Sequence, residues 1–248
     1  MPAWLSALAL AGAGFVASAL NVVAGGGSFL TLPLLIFFGL PAAEANATNR
    51  LGVLAQNVGG VWGFHRHGML DWRWGLRASV PAVAGAVLGV WLALQVGDRS
   101  FRRILAVLML LVTLWTLLDP GGRLAGRFRS IGPRRALLGF GFFAAGIYAG
   151  FVQAGVGFLI LALTTLAGLD LVRGNAVKVL VILLTTLLSL LLFTLEAKVD
   201  WAAGAALAVG SLAGSLVGVR LAVVKGHGWL RVVVAATILA LAIGLWLL

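Results

Sequence analysis

The chain has 248 residues, 62% of them hydrophobic and 10% charged, with a net charge of +11 and no cysteine. That leaves too little polar surface to cover a water-soluble globule, and the absence of thiols excludes disulfides, thiolate metal sites and redox pairs. The positive residues fall between apolar runs, where orientation signals account for them better than nucleic acid does.

The first element in chain order is an apolar block at 4–38, interrupted at Gly25-Gly26-Gly27. Its start has the length of a signal peptide but lacks a basic leading region, so it reads as mature structure. Three plainer spans follow at about 46–64, 75–96 and 104–118, and then an Arg-rich stretch. A second block at 136–168 is interrupted at 153–157, and spans at about 175–193, 202–224 and 230–248 complete the chain. Runs of about 20 apolar residues cross a bilayer core as helix. Lipid cannot satisfy exposed backbone amides, so such runs must be helical. Barrel strands would alternate polar and apolar residues, and 179–195 does not. The expected fold class is an all-α polytopic membrane protein.

The two series of elements match at a fixed offset of 129 residues, from Asp71 to Asp200. Asp71-Trp72 matches Asp200-Trp201, Asn46-Ala47 matches Asn175-Ala176, and Gly39-Leu40 matches Gly168-Leu169. Gly85 and Gly89 match Gly214 and Gly218. The chain therefore divides into a first transmembrane repeat at 1–118, a basic linker at 119–135 and a second repeat at 136–248. Each repeat is expected to be a glycine-broken helical hairpin plus three transmembrane helices.

Loop charges decide the orientation of the halves. If each broken block returns to its own side, 13 of the 18 Lys and Arg share one face, and Arg50, Arg99, Arg102, Arg103 and Lys198 lie on the other. If each block crosses once, the split is nine to nine and carries no bias. Cytoplasmic loops hold the excess of Lys and Arg, so the first arrangement is expected. Each half then makes an odd number of crossings, and the halves are inverted repeats. Loops 64–77 and 119–135 lie in the cytoplasm, and both termini lie outside it. Duplicated halves with interrupted helices are a secondary-transporter pattern.

The interruptions are the best site candidates. Gly25, Gly26 and Gly27 free the backbone from helical geometry, and a short helix through Thr31 can begin behind them, with Ser28 as its N-cap. A helix start offers free amides and a positive dipole end to an anion. Gln153, Gly155 and Gly157 repeat the device, opening a helix before Phe158. The competing reading is close helix packing. It suits isolated Gly85, whereas a triple glycine flanked by Asn21 and Ser28 suits a site.

A second cluster opens the next span: Asn46, Asn49, Arg50, Gln56 and Asn57 in one half, Asn175 and Lys178 in the other. A cation here is tolerated facing a hydrated cavity or a bound anion, or by snorkelling to the interface. Arg50 is open between the two readings, while Lys178, inside an apolar span, suits the site. The repeated Asp-Trp reads as a helix cap beside an interfacial anchor, and Glu44 and Asp170 as similar. The lone His65-Arg66-His67 is a poor metal site, so neither metal nor cofactor is expected. No catalytic residue is expected either, because an intramembrane hydrolase needs a buried nucleophile and base, and His65, His67 and His227 all read as loop residues.

At these positions the chain resembles the TauE/SafE sulfite-exporter-like family of membrane transporters. The resemblance rests on Ala24-Gly25-Gly26-Gly27-Ser28-Phe29, on Leu32-Pro33-Leu34 and on Asn46-Ala47-Thr48-Asn49, with a degenerate copy in the second half. It implies a transporter of the bacterial inner membrane that moves sulfite, organosulfonates or related sulfur-containing anions, with the partners a small anion and the lipid bilayer. A coupling proton or sodium ion is left open. A channel, a carrier for another small solute and a non-transporting assembly factor are the alternatives.

Overall fold

The computed structural model describes residues 2–24, 27–118 and 135–225. Gly25, Gly26, nearly all of the basic linker and the expected span at 230–248 lie outside the described residues, as does His227. Within the described residues the fold is wholly helical. It comprises α1 (Ala3–Ala24), α2 (Ser28–Phe37), α3 (Ala42–Arg66), α4 (Trp72–Gln95), α5 (Asp98–Leu118), α6 (Arg135–Phe151), α7 (Val156–Leu166), α8 (Leu171–Leu195) and α9 (Trp201–Lys225).

Four of these are long and apolar enough to cross a membrane: Trp4–Val22 of α1, α4, α8 and Trp201–Val223 of α9. α3 has 25 residues, but its amides and Arg50 lower its hydropathy. α2 and α7 have only 10 and 11 residues. At about 1.5 Å per residue they rise about 15 Å, roughly half of a bilayer core of about 30 Å. Each broken block is therefore a long helix followed by a half-length one.

The repeated residue pairs have local physical causes. Asp71 accepts from Trp74 N and caps α4, and Asp200 accepts from Ala202 N and Ala203 N and caps α9. Asp170 caps α8 through Val172 N and Arg173 N, whereas Glu44 lies in the first turn of α3 behind the cap residue Pro41. Gly39 and Gly168, at φ of 98° and 90°, end α2 and α7 with matching bonds, Leu40 N to Leu35 O and Leu169 N to Thr164 O. A left-handed residue there lets the chain turn back and satisfy the last carbonyls. The end of α3 differs from expectation. His65 and Arg66 form its last turn rather than a loop, because Trp72 Nε1 donates to His65 Nδ1 and the Arg66 guanidinium covers the Trp62 ring.

Packing between the halves follows an exchange rule. α1 packs on α9 as α6 packs on α4; α3 packs on α9 as α8 packs on α4; α3 and α8 meet each other. Both of the first two contacts are backbone-close. A Cβ at Gly85, Gly89, Gly146 or Gly150 would strike a carbonyl of the facing helix in the α4–α6 pair, and one at Gly210 or Gly214 would strike α1. Isolated Gly85 is thus a packing residue, as expected. Large apolar side chains such as Leu8, Val80, Trp91, Phe140, Leu195 and Val209 point outward. That surface suits lipid, not water.

Candidate functional site

The site is built where α1 and α6 stop inside the protein. Asn21 Oδ1 accepts from Gly27 N at 3.1 Å and ties the end of α1 to the start of α2. Gly27, not Ser28, is the N-cap of α2, and Ser28 is already the first helical residue with no side-chain capping bond. The cause is steric: a Cβ at Gly27 would run into Ala17 and Asn21 of α1, so only glycine fits at the junction. The Gly27 carbonyl takes the amides of Leu30 and Thr31.

In the second half, α7 opens at Val156, behind Gly155 at φ 77°. Gln153 also has positive φ, at 65°, a conformation that non-glycine residues adopt only when their surroundings hold it. Here the hold is visible. Gln153 Oε1 accepts from Arg50 Nη1 at 2.9 Å and Gln153 Nε2 donates to Thr186. Tyr148 Oη donates to Ala154 O at 2.6 Å. Gly157 is buried in α7.

Arg50 and Lys178 are both 1% exposed, and each crosses to the other half. From α3, Arg50 donates to the α6 carbonyls of Ala149 at 3.1 Å and Gly150 at 2.6 Å, with its guanidinium 4.8 Å from the centre of the Phe193 ring. From α8, Lys178 donates to the α1 carbonyls of Asn21 at 3.0 Å and Val22 at 3.4 Å. The last carbonyls of a helix lack intrahelical donors and carry the negative end of its dipole. Each cation therefore caps the interrupted long helix of the opposite repeat. Neither reaches out to the surface, which disposes of the snorkelling reading for Arg50. Asn46 adds a third cap, its Nδ2 donating to Phe151 O at 2.9 Å. Asn175 is fully buried.

A small cavity of about 10 Å³, the room one water needs, adjoins the first break. Its polar lining comes from Ser18, Ser28, Thr31, Asn49, Gln56 and Ser211, on α1, α2, α3 and α9. Ser18 Oγ donates to Gln56 Oε1 at 3.0 Å, and Thr31 Oγ1 donates to Asn49 Oδ1 at 2.6 Å. Asn49 is 1% exposed and its Nδ2 has no partner. Asn57 lies off the cavity and bonds its own helix through Val53 O.

The structure thus gathers Thr31, Asn49, Gln56, Gly27 and Ser28 of the expected site around one cavity, and puts Arg50, Gln153, Asn46 and Lys178 into the two capping networks. Gly25 and Gly26 lie outside the described residues. Sequence reading missed Ser18 and Ser211. Each is a serine in an otherwise apolar stretch with no motif around it, and only the packing of α1 on α9 brings them together.

Comparison with known proteins places this chain in a family. A probable membrane transporter protein of Haemophilus influenzae is 30% identical over 222 residues, covering 88% of this chain and 86% of the relative. The probable membrane transporter protein YfcA of Escherichia coli K12 is 33% identical over 221 residues, covering 88% and 80%. A probable membrane transporter protein, ORF9, from a Sinorhizobium species is 27% identical over 240 residues, covering 94% and 89%. No solved structure matches the chain. Residues 10–245 match the family described as sulfite exporter TauE/SafE, and the chain belongs to that family of membrane transporters.

Proposed function

We propose that the chain is a secondary transporter of small sulfur-containing anions, sulfite or organosulfonates, working by alternating access between its two halves. One observation carries the anion reading. Two cations are buried at the centre, and among the described residues no Asp or Glu is buried with them. Their carbonyl partners at the ends of α1 and α6 each supply about half a negative charge. That leaves roughly half a positive charge at each cap, and the starts of α2 and α7 add dipole ends of the same sign. Buried charge without a counter-ion is costly. A bound anion relieves it and a cation aggravates it.

Sulfur chemistry comes from the family description. Alternating access is supported by the exchange rule in helix packing, which a pseudo-twofold between inverted halves would produce. The charge bias supports the same inversion. Without Arg50 and Lys178, which are buried rather than in loops, it stands at twelve against four. With it go the cytoplasmic loops and extracytoplasmic termini of an inner-membrane protein.

The test is flux. Proteoliposomes loaded with radiolabelled sulfite or taurine should exchange it for external sulfite or taurine and not for external choline. Passage of choline or sucrose, with no sulfur-anion flux, would end the proposal.

A further inference from the structure

Under the 129-residue offset, the six polar residues of the cavity correspond to Ile147, Gly157, Ile160, Lys178, Thr185 and Ala82. The counterpart positions are mostly apolar. Ala82, Ile160, Val181 and Ile182 pack there in one apolar cluster, with Val156 and Ala78. Thr185 spends its hydroxyl on its own helix, at Val181 O and Ile182 O. Lys178, which stands where Asn49 stands in the first half, is turned away onto the α1 carbonyls. The first break therefore borders a donor-lined space, and the matching positions of the second half lie in an apolar cluster.

We infer that the protein holds one anion per chain, seated in the first-half cavity between α1, α2, α3 and α9, and that the second break is a closed structural counterpart. Two independent features aim at the occupant: the start of α2 at Gly27 and Ser28, and the unpartnered, buried Asn49 Nδ2. A buried donor without an acceptor costs about 1–3 kcal/mol, and an oxyanion oxygen satisfies it. The hydroxyls of Ser18, Ser28 and Ser211 surround the same space. Ligation is by neutral hydroxyls and amides, while Arg50 and Lys178 set the potential without touching the anion. The space as it stands holds one water, so an oxyanion with several acceptor oxygens enters only when the surrounding helices part, as alternating access requires. Ser18 and Ser211 become site residues, and Gln153, Gly155 and Gly157 do not.

The inference rests on the anion-transport reading, and the tests separate the two. Because the native chain has no cysteine, single thiols can report on each side. A water-soluble methanethiosulfonate should modify Ser211→Cys in proteoliposomes and leave Ala82→Cys, its counterpart, untouched. Equal reaction at both, or none at Ser211→Cys, overturns the one-sided seat whatever is transported. Saturating taurine or sulfoacetate, neither of which consumes the reagent as sulfite does, should slow the Ser211→Cys reaction about tenfold, with sodium chloride as control. Reaction at Ser211→Cys alone, unslowed by either, keeps the one-sided seat and removes sulfur anions as its occupant. In calorimetric titration of the purified protein, sulfite should bind once per chain. Asn49→Leu should weaken it about tenfold or more, the worth of one hydrogen bond to a charged acceptor. Ile160→Thr should leave the affinity within about twofold. Two sulfites per chain, or equal losses in both variants, overturn the inference.

Discussion

Replacing Lys178 by Met keeps most of the apolar stem and removes the charge. Two effects on folding oppose each other. The Asn21 and Val22 carbonyls lose donors at 3.0 and 3.4 Å, and a buried acceptor left unsatisfied costs about 1–3 kcal/mol. Against that, an ammonium no longer has to be stripped of water, a relief of several kcal/mol. The terms are of one size, so the variant should fold, with stability changed by no more than about 2 kcal/mol. Anion binding has no such compensation. A unit charge about 8 Å from an anion contributes about 2 kcal/mol at an effective dielectric near 20, a factor of about 30 in affinity. The assay is thermal stabilisation of detergent-purified protein by sulfite, taurine or sulfoacetate, with chloride as control. Lys178→Met should need about thirtyfold more anion for the same rise in Tm, and Lys178→Arg should recover most of the loss while altering selectivity. Identical anion-dependent stabilisation of the parent and Lys178→Met would refute the idea that the central positive charge draws the substrate, and would leave Lys178 as a helix cap alone.

The inverted topology predicts that a cysteine at His67 in intact cells reacts only with a membrane-permeant reagent, while one at Ser100 reacts with an impermeant one; equal labelling of both by the impermeant reagent rejects it. Gly146→Leu should abolish folded protein on size-exclusion chromatography, because the side chain would enter the backbone of α4 at Ala82, whereas Gly12→Leu, with nothing within 4 Å of its Cβ, should behave as the parent. Ser28→Ala should cost little stability, since Ser28 makes no capping bond, whereas Asp170→Ala should cost about 1 kcal/mol in a thermal melt because it removes a real cap. If Ser28→Ala also binds sulfite like the parent, its hydroxyl is not part of the seat.

Much of the architecture was legible in the sequence because its causes are local. The length and apolarity of 171–195 are enough to make α8 a span. Asp71, Asp170 and Asp200 cap the helices that follow them, since a cap needs only residues within one turn. Short helices behind both breaks were legible too, but not where they end, because an apolar run does not reveal which part of it is helix. Ser28 misled for a similar reason. A serine after glycines is a good N-cap by local chemistry, but the approach of Ala17 and Asn21 reserves the cap for Gly27.

The sequence by itself determined that this is a helical membrane protein whose residue pairs recur at a fixed offset, that two of its apolar blocks are interrupted, and that the polar residues worth testing cluster there. Those properties follow from hydropathy, periodicity and repetition, which are carried by the chain one segment at a time. Only the tertiary structure decided what the polar residues do. Arg50 and Lys178 look alike as isolated cations in apolar spans, and their crossed placement on the ends of α6 and α1 depends on contacts about 100 and 157 residues away. Asn49 and Lys178 occupy matching positions, yet one faces a cavity and the other a pair of carbonyls. Burial makes the difference: a charge taken out of water must find whichever carbonyl or anion the folded neighbours bring within reach, and no local stretch of sequence encodes that neighbour.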